Sequence, residues 1–358
     1  MAIPNRDDAA DRLRFLSSHT RSIWHEKKAA DLYERWYFDA LSDDGTQALT
    51  IIFSDDLKPD AALGRSTLTG RTPFVSFAYY LDGKLAFGCD REFEERQFKA
   101  QTGRHECRIG ESGFAFDRIE YGSGYLLNVD LPLAGGRHIE ASLEWLSLES
   151  DLLDIDTTVG SRWWNMVAPR SDVSGRISVF GKTDENPVQF HFRGTGYHDH
   201  LIDRRGYGAQ PAERSWGRSH FTDATAVFYL FRNTVDDSIR SGLKVVKDGQ
   251  LRSYTTQCEE THFVRDRSGV RYPARLTFSS ADNTQLVVKH AQVLESHSCF
   301  LRALSEVTLT LSDGERRSSQ GINEFRAPKA PGNRWMNWLN DRRSGRKGKS
   351  SLAPRQND

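Results

Sequence analysis

The chain has 358 residues, above the usual size of one domain, so two domains are expected and core size is not limiting. Lysine plus arginine and aspartate plus glutamate each number 49, so no overall field draws the protein to nucleic acid or to an anionic surface. The four cysteines, Cys89, Cys107, Cys258 and Cys299, form no Cys-x-x-Cys pair, which argues against a zinc or disulfide framework and suits reduced thiols in a cytoplasmic protein.

From Met1 to Leu16 the chain is polar, with Arg6, Asp7, Asp8, Asp11, Arg12 and Arg14 and no apolar stretch of a secretory leader. No later run approaches the roughly 18 apolar residues of a spanning helix. Helical patterning is confined to Asp8–Ser17, Lys27–Arg35 and Asn333–Arg343, so residues 1–32 read as a short helical segment. Strand patterns dominate from there to about residue 328. Tyr125, Leu127, Val129 and Leu131 alternate with polar neighbours, as do Tyr272, Ala274, Leu276 and Phe278, and the same period recurs in Val188-Phe190-Phe192 and Val307-Leu309-Leu311. Asp44-Gly45, Asp82-Gly83, Asp248-Gly249 and Asp313-Gly314 supply the positive φ of tight hairpins. The result is an all-β chain with roughly sixteen candidate strands, about eight on each side of a break at Ser161–Arg170, and eight strands close a ligand-sized barrel. Residues 33–165 and 166–328 are therefore expected to form two tandem antiparallel β-barrels. Residues 329–358 mix Pro331, Gly332, Gly345 and Gly348 with Arg334, Arg342, Arg343, Arg346, Lys347, Lys349 and Arg355, a basic flexible tail. Trp335, Met336 and Leu339 allow its start to lie on an anionic membrane face, with a solvated terminus as the alternative.

The densest chemistry lies in Gly194-Thr195-Gly196-Tyr197-His198-Asp199-His200, after a good strand. If the strand continues, His198 and His200 share one face with Asp199 opposite; if the glycines break it, all three line a barrel mouth. Three readings stay open. A His-x-His pair suits a metal, yet no further ligand cluster accompanies it. Asp199 could simply accept backbone hydrogen bonds while the histidines fill a barrel end. Or an aspartic acid in an apolar barrel, its pKa raised, carries a proton at neutral pH. Gly194-Thr195-Gly196 lacks the Lys-Ser/Thr of a phosphate loop, and no Gly-x-Ser-x-Gly elbow occurs. Trp24, Trp36, Tyr37, Phe38, Trp145, Trp163, Trp164 and Trp216 are core residues or the walls of an apolar pocket, where their faces could stabilise a cation.

Trp36-Tyr37-Phe38-Asp39-Ala40, Trp164 with Pro169-Arg170, Val173-Ser174-Gly175, the Gly-x-Gly-Tyr-His-Asp-His run, Trp216-Gly217-Arg218 and Gly321-Ile322-Asn323-Glu324-Phe325 occur in an order that resembles the carotenoid 1,2-hydratase (hydroxyneurosporene synthase) family, whose superfamily includes lipocalin-like Diels–Alderases. The resemblance spans roughly residues 33 to 326, and the Gly-x-Gly-Tyr-His-Asp-His run is its most specific element. It implies two lipocalin-like domains and an enzyme without cofactor or metal that hydrates or cyclises an apolar polyene or isoprenoid. It further implies Asp199 as proton donor, His198 and His200 as tuning or water-positioning groups, and Trp36, Tyr37 and Trp216 as pocket-lining residues; Tyr197 and Glu324 join them as substrate-binding candidates, Glu324 in the last expected strand being either a buried second carboxylate or a solvent-facing glutamate. Here Leu201-Ile202-Asp203 follows His200 where the hydratases have Asn-Trp-Gly, so the expected substrate is kept broad. The competing readings are a noncatalytic lipid or pigment carrier and a scaffold subunit that binds through the basic tail.

Overall fold

A computed structural model describes residues 14–16, 22–25, 32–56, 71–119, 122–147, 163–182, 187–204, 212–233, 237–297 and 300–327. Twelve strands form the first sheet: β1 (Arg14–Leu16), β2 (Leu32–Ser42), β3 (Gln47–Ser54), β4 (Phe74–Leu81), β5 (Lys84–Glu92), β6 (Phe98–Ala100), β7 (Glu106–Ile109), β8 (Ser112–Ile119), β9 (Gly122–Pro132), β10 (His138–Ser147), β11 (Trp163–Phe180) and β12 (Val188–Arg204). Their order is β5-β4-β3-β2-β12-β11-β10-β9-β8-β7-β6, with β1 beside β11. Eight more close a meander barrel: β13 (Ala212–His220), β14 (Ala224–Asn233), β15 (Ile239–Lys247), β16 (Gln250–Arg265), β17 (Arg271–Ser280), β18 (Gln285–His297), β19 (Phe300–Thr310) and β20 (Arg316–Arg326). All four Asp-Gly pairs sit in hairpin turns. At Asp82-Gly83 and Asp248-Gly249 both residues have positive φ, the backbone twist that a two-residue hairpin requires.

Three expectations are corrected. Among the described residues there is no α-helix, only single 3-10 turns at Glu95–Gln97 and Ala134–Gly136. Arg14–Leu16 pairs in parallel with β11, and Leu32–Arg35 opens β2, because pairing with β3 and β12 outweighs local helix preference. The first sheet is open rather than closed, though its strands share one core that runs from Val75 and Cys89 to Ile109 and Phe114. Finally, the change of sheet falls between Arg204 and Ala212, not between residues 165 and 166. β11 runs straight through the expected break, and β11 and β12 bond into the first sheet. The rest of the first helical segment, the Asn333–Arg343 helix and the basic tail lie outside the described residues.

The barrel core gathers residues such as Phe228, Leu243, Phe278, Leu286 and Val307. The outer faces of β13, β14, β19 and β20 pack against β2, β4 and β12, so Tyr37, Tyr197 and Leu201 meet Val227, and Leu41 and Tyr80 meet Leu304 and Ile322. β2 and the second half of β12, from Gly196 to Asp203, are consequently buried on both faces, whereas Val188, Gln189, His191 and Arg193 earlier in β12 are exposed. That position, in the middle of the first sheet and covered by the barrel, decides what their side chains can do.

Candidate active site

Strand β12 continues unbroken through the Gly-x-Gly-Tyr-His-Asp-His run, paired with β2 on one side and β11 on the other. Its glycines are packing positions. A Cβ on Gly194 would lie 2.0 Å from the carbonyl oxygen of Leu41, and one on Gly196 would lie 2.5 Å from Nε1 of Trp145. Opposite the run, β11 bulges around Pro169 and Arg170, where a missing backbone N–H is tolerated.

Because side chains alternate, the motif is divided between two faces. Tyr197, Asp199 and Leu201 point at the barrel, and His198 and His200 point into the core of the first sheet. Of the residues nominated from sequence, Asp199, Tyr37, Tyr197, Trp216 and Glu324 come together between the sheets, whereas His198, His200 and Trp36 lie on the other side of the backbone. The histidines, expected to tune Asp199 or to position water, therefore lie on the opposite face of the strand from its carboxyl.

On the barrel side Asp199 is fully buried, and neither carboxylate oxygen has a hydrogen-bond partner of full geometry among the described residues. Nη2 of Arg35 is 3.8 Å away. Burial pushes the Asp199 pKa up to about 7, while Arg35 and the Trp164 indole pull it down. Trp216 meets Tyr37 edge-on at 5.1 Å and Trp164 at 5.4 Å, so aromatic rings pack on the side of β12 that carries Asp199. Burial and the neighbouring Asp199 hold the Tyr197 phenol well above its ordinary pKa, and burial does the same to Tyr37.

Two ion clusters flank Asp199. Arg218 donates from Nε to Asp39 at 2.6 Å, both groups being buried, and burial raises the Asp39 pKa against the pull of Arg218. Glu324 accepts from Trp216 Nε1 at 3.0 Å and from Arg302 Nη2 at 2.7 Å, and Arg302 also reaches Tyr80 of the first sheet and Glu295. Arg35, Arg218 and Arg302 were not nominated from sequence. Arg218 did stand in the Trp216-Gly217-Arg218 string, but an arginine on an alternating strand reads as a solvent-facing residue until its cover is known.

On the core side, Nδ1 of His198 donates to the backbone oxygen of Tyr37 at 3.0 Å, so its Nε2 carries the lone pair, 3.5 Å from Oγ of Ser22. Its ring stacks on Phe38 at 3.9 Å. Burial lowers its pKa to about 3, so the imidazole is neutral. His200 stacks on Trp36 at 4.7 Å and faces Glu34 Oε2 at 3.0 Å. Among the described residues, the group whose ligand atoms converge as a metal's would is Asp130, His138 and Glu140, on the outer side of β9 and β10 and not part of this constellation. Cys89, Cys107 and Cys258 are free thiols; Cys299 lies outside the described residues. No helix among the described residues is long and apolar enough to cross a membrane.

No family model matches the chain. A curated protein of Chlorobaculum tepidum named hydroxyneurosporene dehydrogenase is 23% identical over 92% of both chains. Among solved structures, an AttH protein of Nitrosomonas europaea matches with a TM-score of 0.62 at 15% identity, covering 86% of this chain and 96% of that one. CghA, solved with Sch210972, matches with 0.58 at 16% identity over 84% and 89%. Kievitone hydratase of Nectria haematococca matches with 0.52 at 7% identity over 89% and 99%. The resemblance carried by the motifs thus extends along nearly the whole chain: it is similar to a protein named for hydroxyneurosporene and has the fold of AttH, CghA and kievitone hydratase.

Proposed function

We propose that the protein is an enzyme that hydrates or cyclises an apolar polyene or isoprenoid by protonating a carbon–carbon double bond, with Asp199 as the proton donor. One observation carries this reading: a fully buried carboxyl, shifted to about 7, stands on the side of β12 where aromatic rings pack. At neutral pH a large fraction of such a group is the neutral acid, the form that can give up a proton. Transfer of that proton to the less substituted alkene carbon leaves a cation on its neighbour. The faces of Trp164, Trp216 and Tyr37 suit such a cation, which the Asp199 carboxylate left behind also stabilises. Addition of water and return of one proton to Asp199 completes hydration. Attack by a second double bond of the same chain, followed by proton loss to Asp199, completes cyclisation. Arg35 keeps the acid from becoming too weak to donate.

The test is mass spectrometry of organic extracts from cells that make polyenes and express either the unaltered chain or Asp199→Asn. A product heavier by one water, or an isomer of equal mass, made only by the unaltered chain is the expected result. A product lighter by two hydrogens, the outcome suggested by the name of the Chlorobaculum relative, would overturn the protonation mechanism. Extracts that do not differ would favour a carrier.

A further inference from the structure

The strand pairing leaves one hairpin standing out of the second barrel. β16 is registered against β15 only as far as Ser241 with Thr256, and β17 against β18 only as far as Arg275 with Lys289. The two strands nevertheless stay paired with each other up to Arg265 and Arg271. Gln257–Thr261 lies against the part of β17 that still pairs with β18, so the ribbon is free of strand partners on both sides only over residues 262–265 and 271–274, roughly 14 Å at about 3.4 Å a residue.

The two faces of this overhang differ. On the inner face Val270 and Tyr272 are buried against Leu301, Ala303 and Phe325, so the ribbon closes one end of the barrel core. Around the turn His262, Phe263, Val264, Arg265, Arg267 and Arg271 are all exposed; Phe263, Arg265 and Arg271 share the outer face, and Val264 stands opposite Tyr272 on the other. His262 has φ +55°, a left-handed conformation rare outside glycine, which kinks the strand just before the apolar pair. Phe263 is 45% and Val264 41% exposed, two of the few large hydrophobic side chains in the described chain left to solvent. The guanidinium of Arg271 lies 4.5 Å over the Phe263 ring, and Arg265 is tied across the turn to the carbonyl of Gly269 at 2.8 Å. The one acid of the turn, Asp266, spends its carboxylate on the backbone N–H groups of Ser268 and Val270.

An aromatic and an aliphatic tip ringed by three arginines matches the boundary between lipid headgroups and acyl chains, where apolar groups enter and cations meet anionic headgroups. We infer that the β16–β17 hairpin is a membrane-docking finger whose partner is the surface of an anionic bilayer. The inference stands on the hairpin and does not depend on the chemistry of Asp199.

Vesicle co-sedimentation of the full chain tests it, with vesicles of phosphatidylcholine alone and of phosphatidylcholine with about one quarter phosphatidylglycerol. The unaltered chain is expected to bind the anionic vesicles and to lose that binding as salt rises towards about 0.5 M. Phe263→Ser with Val264→Ser, and separately Arg265→Gln with Arg267→Gln, should each weaken binding at least tenfold while thermal unfolding stays unchanged, because these side chains support no core. No binding by the unaltered chain would overturn the inference. So would equal binding of both lipid mixtures, or unweakened binding by the hairpin variants, which would move the contact to another part of the chain.

Discussion

The two faces of β12 hold opposite kinds of titratable group under the same physical pressure. On one face burial raises an acid, Asp199, to about 7; on the other it lowers a base, His198, to about 3. Both shifts favour the uncharged form, since transfer out of water penalises charge of either sign. The outcome differs because of the starting points. An acid moved to about 7 stays poised to exchange a proton, whereas an imidazole moved to about 3 is locked neutral and serves as a fixed hydrogen-bonding and stacking element. Adjacent residues of one motif thus divide into a group poised to exchange a proton and one locked neutral.

The sharpest test of that division is Asp199→Asn, which should cost about 10²- to 10⁴-fold in turnover while leaving the fold intact, checked by product formation beside circular dichroism. The same substitution at His198, to Gln, should leave far more activity; equal losses would erase the distinction. Next in size is Arg218→Met, which strands the buried Asp39 carboxylate and should cost about 3–5 kcal/mol in denaturant unfolding, with part of the loss recovered by adding Asp39→Asn.

The pH dependences of the two faces run in opposite senses. Under the proposed mechanism activity should fall as pH rises through about 7, because Asp199 loses the proton assigned to it there. His198 binds its proton less readily in the folded chain than in the unfolded one, so the stability it contributes is present above its unfolded pKa and lost as pH falls from there towards about 3. The loss is at most about 1.4 kcal/mol per pH unit for that one group. His220 and His290, also lowered by burial, add to the same trend, so His198→Gln should reduce the slope without removing it. The smallest expected effect is that of Arg35→Gln. Removing a cation that lowers the Asp199 pKa should shift the alkaline fall in activity to higher pH.

Much of the fold was legible along the chain because it rests on local signals. Period-two runs such as Tyr125-Leu127-Val129-Leu131 became buried strand faces, and the Asp-Gly pairs became hairpins, since turn geometry and alternation involve only neighbouring residues. The expected break at Ser161–Arg170 failed because its aromatic residues and Pro169 belong to a bulged strand, which looks like a connection when its partners are unknown. The alternation that separates Asp199 from its two histidines was one of two arrangements open from the sequence, and the unbroken pairing of β12 with β2 and β11 decided it. What each face meets was decided only by tertiary structure. The barrel and the first sheet cover each other, and that contact turns Arg218 and Arg302 from ordinary strand arginines into buried partners of Asp39 and Glu324 and sets half-buried Arg35 beside Asp199. Burial is a property of what packs across a strand, and the residues that do so here lie far away in the chain, 179 positions for Arg218 and Asp39 and 222 for Arg302 and Tyr80.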